Sequence, residues 1–254
     1  MDIRVLGCSG GVSFGNRTTS FMVGNDTLVD AGSGVGDLTL DEMRKIRHVF
    51  ITHSHLDHIH CIPLLLDSIF DSVTEPVVLH GSAVALEAIH EHLFNGIIWP
   101  DFTVLPSAEN PVVVYDVIEA GESIQLGEIN FKAVAVNHIV PTVAYIVSAP
   151  SGCFAFSGDT TTNDTLWSAL NELKKIDMLI VETAFTNNEL ELCKKSKHYC
   201  PKNLADDLKK LNHQTEIYLT HAKPGEAEQI FKECSELITD RSLHQLHAGQ
   251  RFTL

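Results

Sequence analysis

Three imidazoles and one carboxylate fall within six residues, His53-Ser54-His55-Leu56-Asp57-His58, directly after an apolar run at 49–52. The run reads as a short buried strand that delivers the chain into His53. Imidazole nitrogen and carboxylate oxygen together suit zinc, manganese or iron, and donor type alone does not choose among the three. Alternate residues of an extended segment point to opposite sides, so His53 and His55 share one side. A turn into a helix beginning near Ile59 then carries Asp57 and His58 to a neighbouring position. The layout predicts two adjacent divalent ions, which in such sites lie about 3.5–4 Å apart and hold a hydroxide between them.

Two ions need more ligands than this segment offers. Residues at strand ends, where loops converge, are the candidates. His138 follows a strand expected at 129–136, Asp159 follows one at 153–156, and His221 follows one at 217–219. All three occupy the same kind of position as His53, which points to one shared site.

Short apolar runs alternate with helical segments along the chain. Strands are expected at 3–6, 19–23, 27–29, 49–52, 76–79, 112–118, 129–136, 143–147, 153–156, 178–181 and 217–219. Helices are expected at 83–94 behind Ser82 as N-cap, around Leu166, Leu170 and Leu173, from Pro201 and from Pro224. No internal repeat or linker interrupts the 254 residues, so one α/β domain spanning 1–254 is expected, with two sheets packed together and helices outside. The Gly7-Cys8-Ser9-Gly10-Gly11 run offers backbone N–H groups to a phosphate, or simply a tight turn between strands.

The formal net charge of −15 argues against a sequence-independent duplex binder, which needs clustered Lys and Arg. It leaves a small anionic substrate open, because bound metal reverses the local field. No membrane span is expected. The start Met1-Asp2-Ile3-Arg4 lacks the basic, apolar order of a secretory leader. The six cysteines form no CxxC pair and read as reduced thiols in a cytoplasmic protein.

HSHLDH, a downstream strand-end His, a Gly-Asp-Thr aspartate and a final Thr-His together resemble the metallo-β-lactamase superfamily across nearly the whole chain. The resemblance implies an αββα four-layer sandwich, two mixed sheets with outer helices, and a site along one sheet edge. It assigns His53, His55 and His138 to one metal, Asp57, His58 and His221 to a second, and Asp159 as the bridge. Asp57 counts as catalytic as well as ligating. Asp30 matches the superfamily's early aspartate, which supports ligands. His55 argues against the flavodiiron branch, which has Glu there. His48, His60, His80, His90, His92, His213, His244 and His247 are expected at the surface or in ordinary hydrogen bonds.

His53–Ile59 is similar to the signature of class II cyclic-nucleotide phosphodiesterases, and 92–102 is similar to that family's FN…IWP stretch. Cys61-Ile62-Pro63-Leu64-Leu65 departs from the signature's continuation. Asn95 and Trp99 are candidate substrate contacts. Phe94, Trp99 and Phe102 either stack a base or pack in the core. Val181-Glu182-Thr183-Ala184 and Lys197-His198-Tyr199 resemble the ribonuclease Z elements that hold a Glu–His pair. Carried over, Glu182 orients His198, and His198 protonates the leaving oxygen. Only twenty residues separate His138 from Asp159, too few for the long arm that grips transfer RNA.

These resemblances imply a zinc, manganese or iron hydrolase that opens 3′,5′-cyclic nucleotides through a metal-bridging hydroxide. DNA, large RNA and membranes are not expected partners, and a homodimer is implied by the ribonuclease Z-like relatives. A ribonuclease Z-like RNA phosphodiesterase and an acyl-ester, lactone or thioester hydrolase are the alternatives. A non-enzymatic binding protein on the same fold is a third.

Overall fold

The computed structural model describes residues 1–254, and its core lies in three layers separated by two seven-stranded sheets. The first sheet contains β1 (Asp2–Gly7), β2 (Ser20–Val23), β3 (Thr27–Val29), β4 (His48–Phe50), β5 (Val77–Gly81) and β6 (Val113–Val117). The second contains β7 (Ser123–Leu126), β8 (Ile129–Val136), β9 (Thr142–Ala149), β10 (Gly152–Phe156), β11 (Met178–Glu182), β12 (Glu216–Thr220) and β13 (Ser242–Gln245). The last strand, β14 (Arg251–Thr253), returns to the first sheet and pairs antiparallel with β1.

Strand order is β14-β1-β2-β3-β4-β5-β6 in one sheet and β13-β12-β11-β10-β9-β8-β7 in the other. Each sheet is mixed. β3 through β6 are parallel in the first, and β10 through β13 are parallel in the second. The inner parallel strands, such as β3, β10 and β11, are largely buried on both faces, which explains their continuous apolar runs. Along β4, Val49 points to the helical layer and Phe50 to the space between the sheets. There Phe50 stacks on Phe131 of the opposite sheet, with ring centroids 4.0 Å apart.

The helices are α1 (Leu40–Met43), α2 (Leu56–Ile59), α3 (Cys61–Ile69), α4 (Ala83–His92), α5 (Thr165–Asn171), α6 (Leu190–Ser196), α7 (Pro201–Leu208) and α8 (Ala227–Leu237). α3 and α4 cover the first sheet, while α5, α7 and α8 cover the second. The expected αββα sandwich is the observed architecture. No helix is long and apolar enough to cross a membrane. All six cysteines are free.

Several expected boundaries move. The helix expected near Ile59 begins at Leu56, because His55 is extended (φ −65°, ψ 143°) and serves as its N-cap. The helix expected from Pro224 begins at Ala227, because Gly225 adopts φ 90° and closes a turn first. The helix at Ala83 ends at His92, with Ser82 as its N-cap as expected. The strands β7, β13 and β14 and the helices α1 and α6 carry too few periodic apolar residues to be read from sequence.

The short α1 is fixed by a capping box. The Thr39 N–H donates to Glu42 Oε2 at 2.8 Å, and the Glu42 N–H donates to Thr39 Oγ1 at 3.3 Å. Arg4 adds a charged bond to Glu42. The Thr39 N–H, and then Arg4, pull the Glu42 pKa from 4.5 to about 2. Glu42→Gln keeps the capping box but loses the charge facing Arg4, and is expected to cost up to about 1 kcal/mol at neutral pH. The lowered folded pKa means that this contribution is present above pH 4.5 and lost as pH falls through about 2. Denaturant melts of both proteins at pH 7 and at pH 2.5 check that the difference narrows.

Candidate metal centre

Strands of both sheets end on one edge of the sandwich, and their carboxyl ends carry the candidate ligands. His53 and His55 follow β4, His138 follows β8, Asp159 follows β10 and His221 follows β12. Asp57 and His58 lie on α2, the single turn capped by His55.

All seven residues assigned as ligands from the sequence come together. One ligand atom each from His53, His55, His138 and Asp159 lies within 4.8 Å of the others, and the same holds for Asp57, His58, Asp159 and His221. Asp159 belongs to both groups. Its Oδ1 is 3.3 Å from His58 Nε2, and its Oδ2 is 3.3 Å from His221 Nε2 and 3.6 Å from His53 Nε2. His138 Nε2 lies 3.2 Å from His55 Nδ1. Ligands about 2.0–2.2 Å from a common ion in tetrahedral array sit about 3.3–3.6 Å from one another, so these spacings fit.

The hydrogen-bond accounting points the same way. His53 Nε2, His58 Nε2, His221 Nε2 and Asp159 Oδ1 are buried and have no hydrogen-bond partner. Four such atoms converging on one space are costly unless something satisfies them. Burial pushes His53 well below its usual value, His138 to about 4 and His221 to about 3. At neutral pH these rings are uncharged and keep a lone pair for a cation. The donor set of imidazoles and carboxylates, without a thiolate, fits a pair of zinc, manganese or iron ions.

The other ring nitrogens are held from behind. Asp30 is fully buried and accepts from His58 Nδ1 at 2.6 Å. Burial opposes charge on His58, but Asp159 and Asp30 outweigh it and raise its pKa well above the usual value. The Thr52 hydroxyl donates to Asp30 and meets His53 Nδ1 at 3.0 Å. His138 Nδ1 donates to the Lys197 carbonyl at 3.0 Å, and Thr19 Oγ1 meets His221 Nδ1 at 3.3 Å. Each contact leaves the opposite nitrogen facing the shared space. The chain has three non-glycine residues with left-handed φ: Asp30 (57°), Lys197 (53°) and His221 (66°). All three belong to this cluster or hydrogen-bond to it, and strain of this kind concentrates at such sites. Asp30→Asn is expected to weaken metal affinity about 10–100-fold, read by chelator competition.

Gly10 and Gly32 let loops pass close to the ligands. A Cβ on Gly10 would lie 2.3 Å from the His221 carbonyl oxygen, and one on Gly32 would lie 2.4 Å from that of Asp57. The glycine run at 7–11 thus serves close packing of a turn.

His198 and Glu182 stand beside the cluster as a buried pair. Glu182 Oε1 lies 2.7 Å from His198 Nδ1 and also accepts the Thr160 N–H at 3.0 Å. The His198 ring stacks on His221 at 5.3 Å and meets His138 edge-on at 4.9 Å. Burial disfavours the His198 imidazolium, but the Glu182 carboxylate more than offsets this and raises its pKa. Asn95 and Trp99 do not join the cluster. Asn95 Oδ1 accepts the N–H groups of Ile97 and Ile98, and its Nδ2 donates to the Glu91 carbonyl. Trp99 packs against the helical layer of the first sheet, where Phe94 and Phe102 are core residues. His48 and His80 bond to each other at 2.9 Å, away from the ligands. Sequence reading did not find the supports Thr19, Thr52 and Lys197. Only Thr52 left a local signal, as the residue between the buried strand and His53.

The Beta-lactamase superfamily domain profile matches residues 26–247, and the chain belongs to that superfamily. A protein of Yersinia pestis named as a probable 3′,5′-cyclic-nucleotide phosphodiesterase is 26% identical over 276 aligned positions, covering 88% of this chain and 78% of its own length. A ribonuclease Z of Staphylococcus saprophyticus is 29% identical over 160 positions, covering 59% of this chain and 50% of that protein. Among solved structures, unliganded yeast PDE1 superposes with a TM-score of 0.82 at 18% identity, covering 100% of this chain and 99% of the other, which shows a shared fold.

Proposed function

We propose that the chain is a two-metal phosphodiesterase that opens 3′,5′-cyclic nucleotides to 5′-nucleotides. The observation that carries this reading is the buried His198–Glu182 pair beside the cluster. A ribose 3′-alkoxide is a poor leaving group and needs a proton as its bond to phosphorus breaks. Glu182 holds His198 by Nδ1, which fixes the ring and leaves Nε2 to give that proton. A thiolate leaving group demands far less help, because a thiol already ionises near pH 8.5. When bound at the seven ligands, two divalent ions supply an acidified water and Lewis acidity toward the phosphoryl oxygens.

Two further features support a small substrate over a large RNA. β9 and β10 form a tight hairpin that takes up most of the chain between His138 and Asp159. The net charge of −15 disfavours a polyanion bound along the surface. The name of the Yersinia pestis relative agrees with this reading. A homodimer belongs to the same reading, and sedimentation of the purified chain tests it.

The test is incubation of metal-loaded protein with an equimolar mixture of 3′,5′-cyclic AMP, GMP, CMP and UMP, with a chelator control. Chelator-sensitive formation of 5′-monophosphates is expected. No turnover of any of the four at full metal occupancy would reject the reading and favour acyl substrates or other phosphodiesters.

A further inference from the structure

We infer that Asp207, on α7 and outside the cluster, is a positioning residue that fixes His198 and Asp159 relative to each other; its effect on proton transfer rests on the phosphodiesterase reading. Asp207 is 3% exposed, and its carboxylate draws partners from separate segments. Oδ2 accepts from the Tyr199 hydroxyl at 2.7 Å, the Trp167 indole N–H at 3.1 Å and the Asn163 backbone N–H at 3.1 Å. Oδ1 pairs with Lys210 Nζ at 2.9 Å.

Two of these partners lead to the site. Tyr199 directly follows His198, and its backbone N–H reaches Glu182 Oε2 at 3.3 Å. Asn163 closes the loop that begins at Asp159. Its side-chain amide holds Thr160 Oγ1 at 3.2 Å, and the Thr160 N–H donates to Glu182 Oε1. The loop bearing the shared ligand and the loop bearing the proton donor therefore end on one carboxylate. A buried anion needs a full set of donors, and two of these four come from the two segments whose spacing governs the chemistry. Rigid placement matters here, because a shift of about 1 Å in a reacting group costs on the order of 10²-fold in rate.

Tyr199→Phe removes one hydrogen bond and little volume. Asp207→Asn keeps the shape but turns a charged acceptor into a weaker neutral one. Each is compared with wild type, fully metal-loaded, on 3′,5′-cyclic AMP and on bis(p-nitrophenyl) phosphate. p-Nitrophenolate leaves without a proton, whereas the ribose alkoxide does not. A displaced proton donor is expected to lower kcat on the cyclic nucleotide about ten- to hundredfold, with a clearly smaller loss on the p-nitrophenyl ester, which feels only the loosened Asp159 loop. Equal losses on both substrates, or no loss on either, would overturn the inference.

The geometric part is read without turnover. Amide hydrogen exchange at 159–163 and 197–201 is expected to quicken together in Asp207→Asn. Quickening of one loop alone, or of neither, would overturn it. If the wild-type protein turns over no cyclic nucleotide, the phosphodiesterase reading fails, and hydrogen exchange alone decides the role of Asp207.

Discussion

Replacing His198 with alanine is expected to slow cleavage of 3′,5′-cyclic nucleotides by about 10²–10⁴-fold, the usual contribution of a general acid. The bound metal content should not change, because His198 is not among the seven converging ligands. The pH profile adds a second readout. Glu182 favours the charged His198 ring, and the imidazolium is lost as pH rises. Wild-type kcat/KM on the cyclic nucleotide should fall on that basic side, and the His198→Ala profile should lack this limb. Glu182→Gln should move the limb to lower pH, since the neutral amide no longer favours the charged ring. A His198→Ala protein with wild-type turnover at every pH would remove this residue from the mechanism.

Asp159→Ala is expected to have the larger effect on the metals. Asp159 is the one residue common to both ligand groups, and it is 1% exposed. Its loss takes one donor from each position and leaves His58, His221 and His53 facing one another without their shared carboxylate. Metal analysis should find fewer than two ions per chain, and turnover should drop to the chelated background. Thermal melts give a reading independent of activity. A ligand at 100 times its Kd stabilises a folded protein by about 2.7 kcal/mol, so wild type should gain Tm on metal addition. The variant should gain much less. Two tightly held ions and full activity in Asp159→Ala would contradict the assignment of the shared ligand.

The strand-end candidate ligands were legible because each is a strong donor placed where a buried strand ends. His53, His138, Asp159 and His221 needed only the apolar runs before them to be found. Their supports were less so. Thr19 meets His221 across 202 residues, and the Lys197 carbonyl that His138 Nδ1 reaches is a backbone group that residue identity does not encode. Asp207 sits on an amphipathic helix like any surface acid, and only the fold turns it inward. The central strands announced themselves because both faces are buried. The edges did not: β13 and β14 are short, partly exposed and polar, and are defined by pairing with β12 and β1. The helix start at Leu56 was misplaced for a related reason. The metal-ligand pattern masks the turn that His55 caps.

Each ligand group draws on both sheets. His53 and His55 come from the first sheet's half of the chain and meet His138 and Asp159 from the second, while Asp57 and His58 meet Asp159 and His221. Bound ions would therefore act as cross-links between two half-molecules, beside the pairing of β14 with β1 and the apolar layer around Phe50 and Phe131. Linkage makes this reciprocal. Whatever loosens that distant layer must also weaken the grip on the ions, so affinity for the metals becomes a gauge of how firmly the two halves are docked.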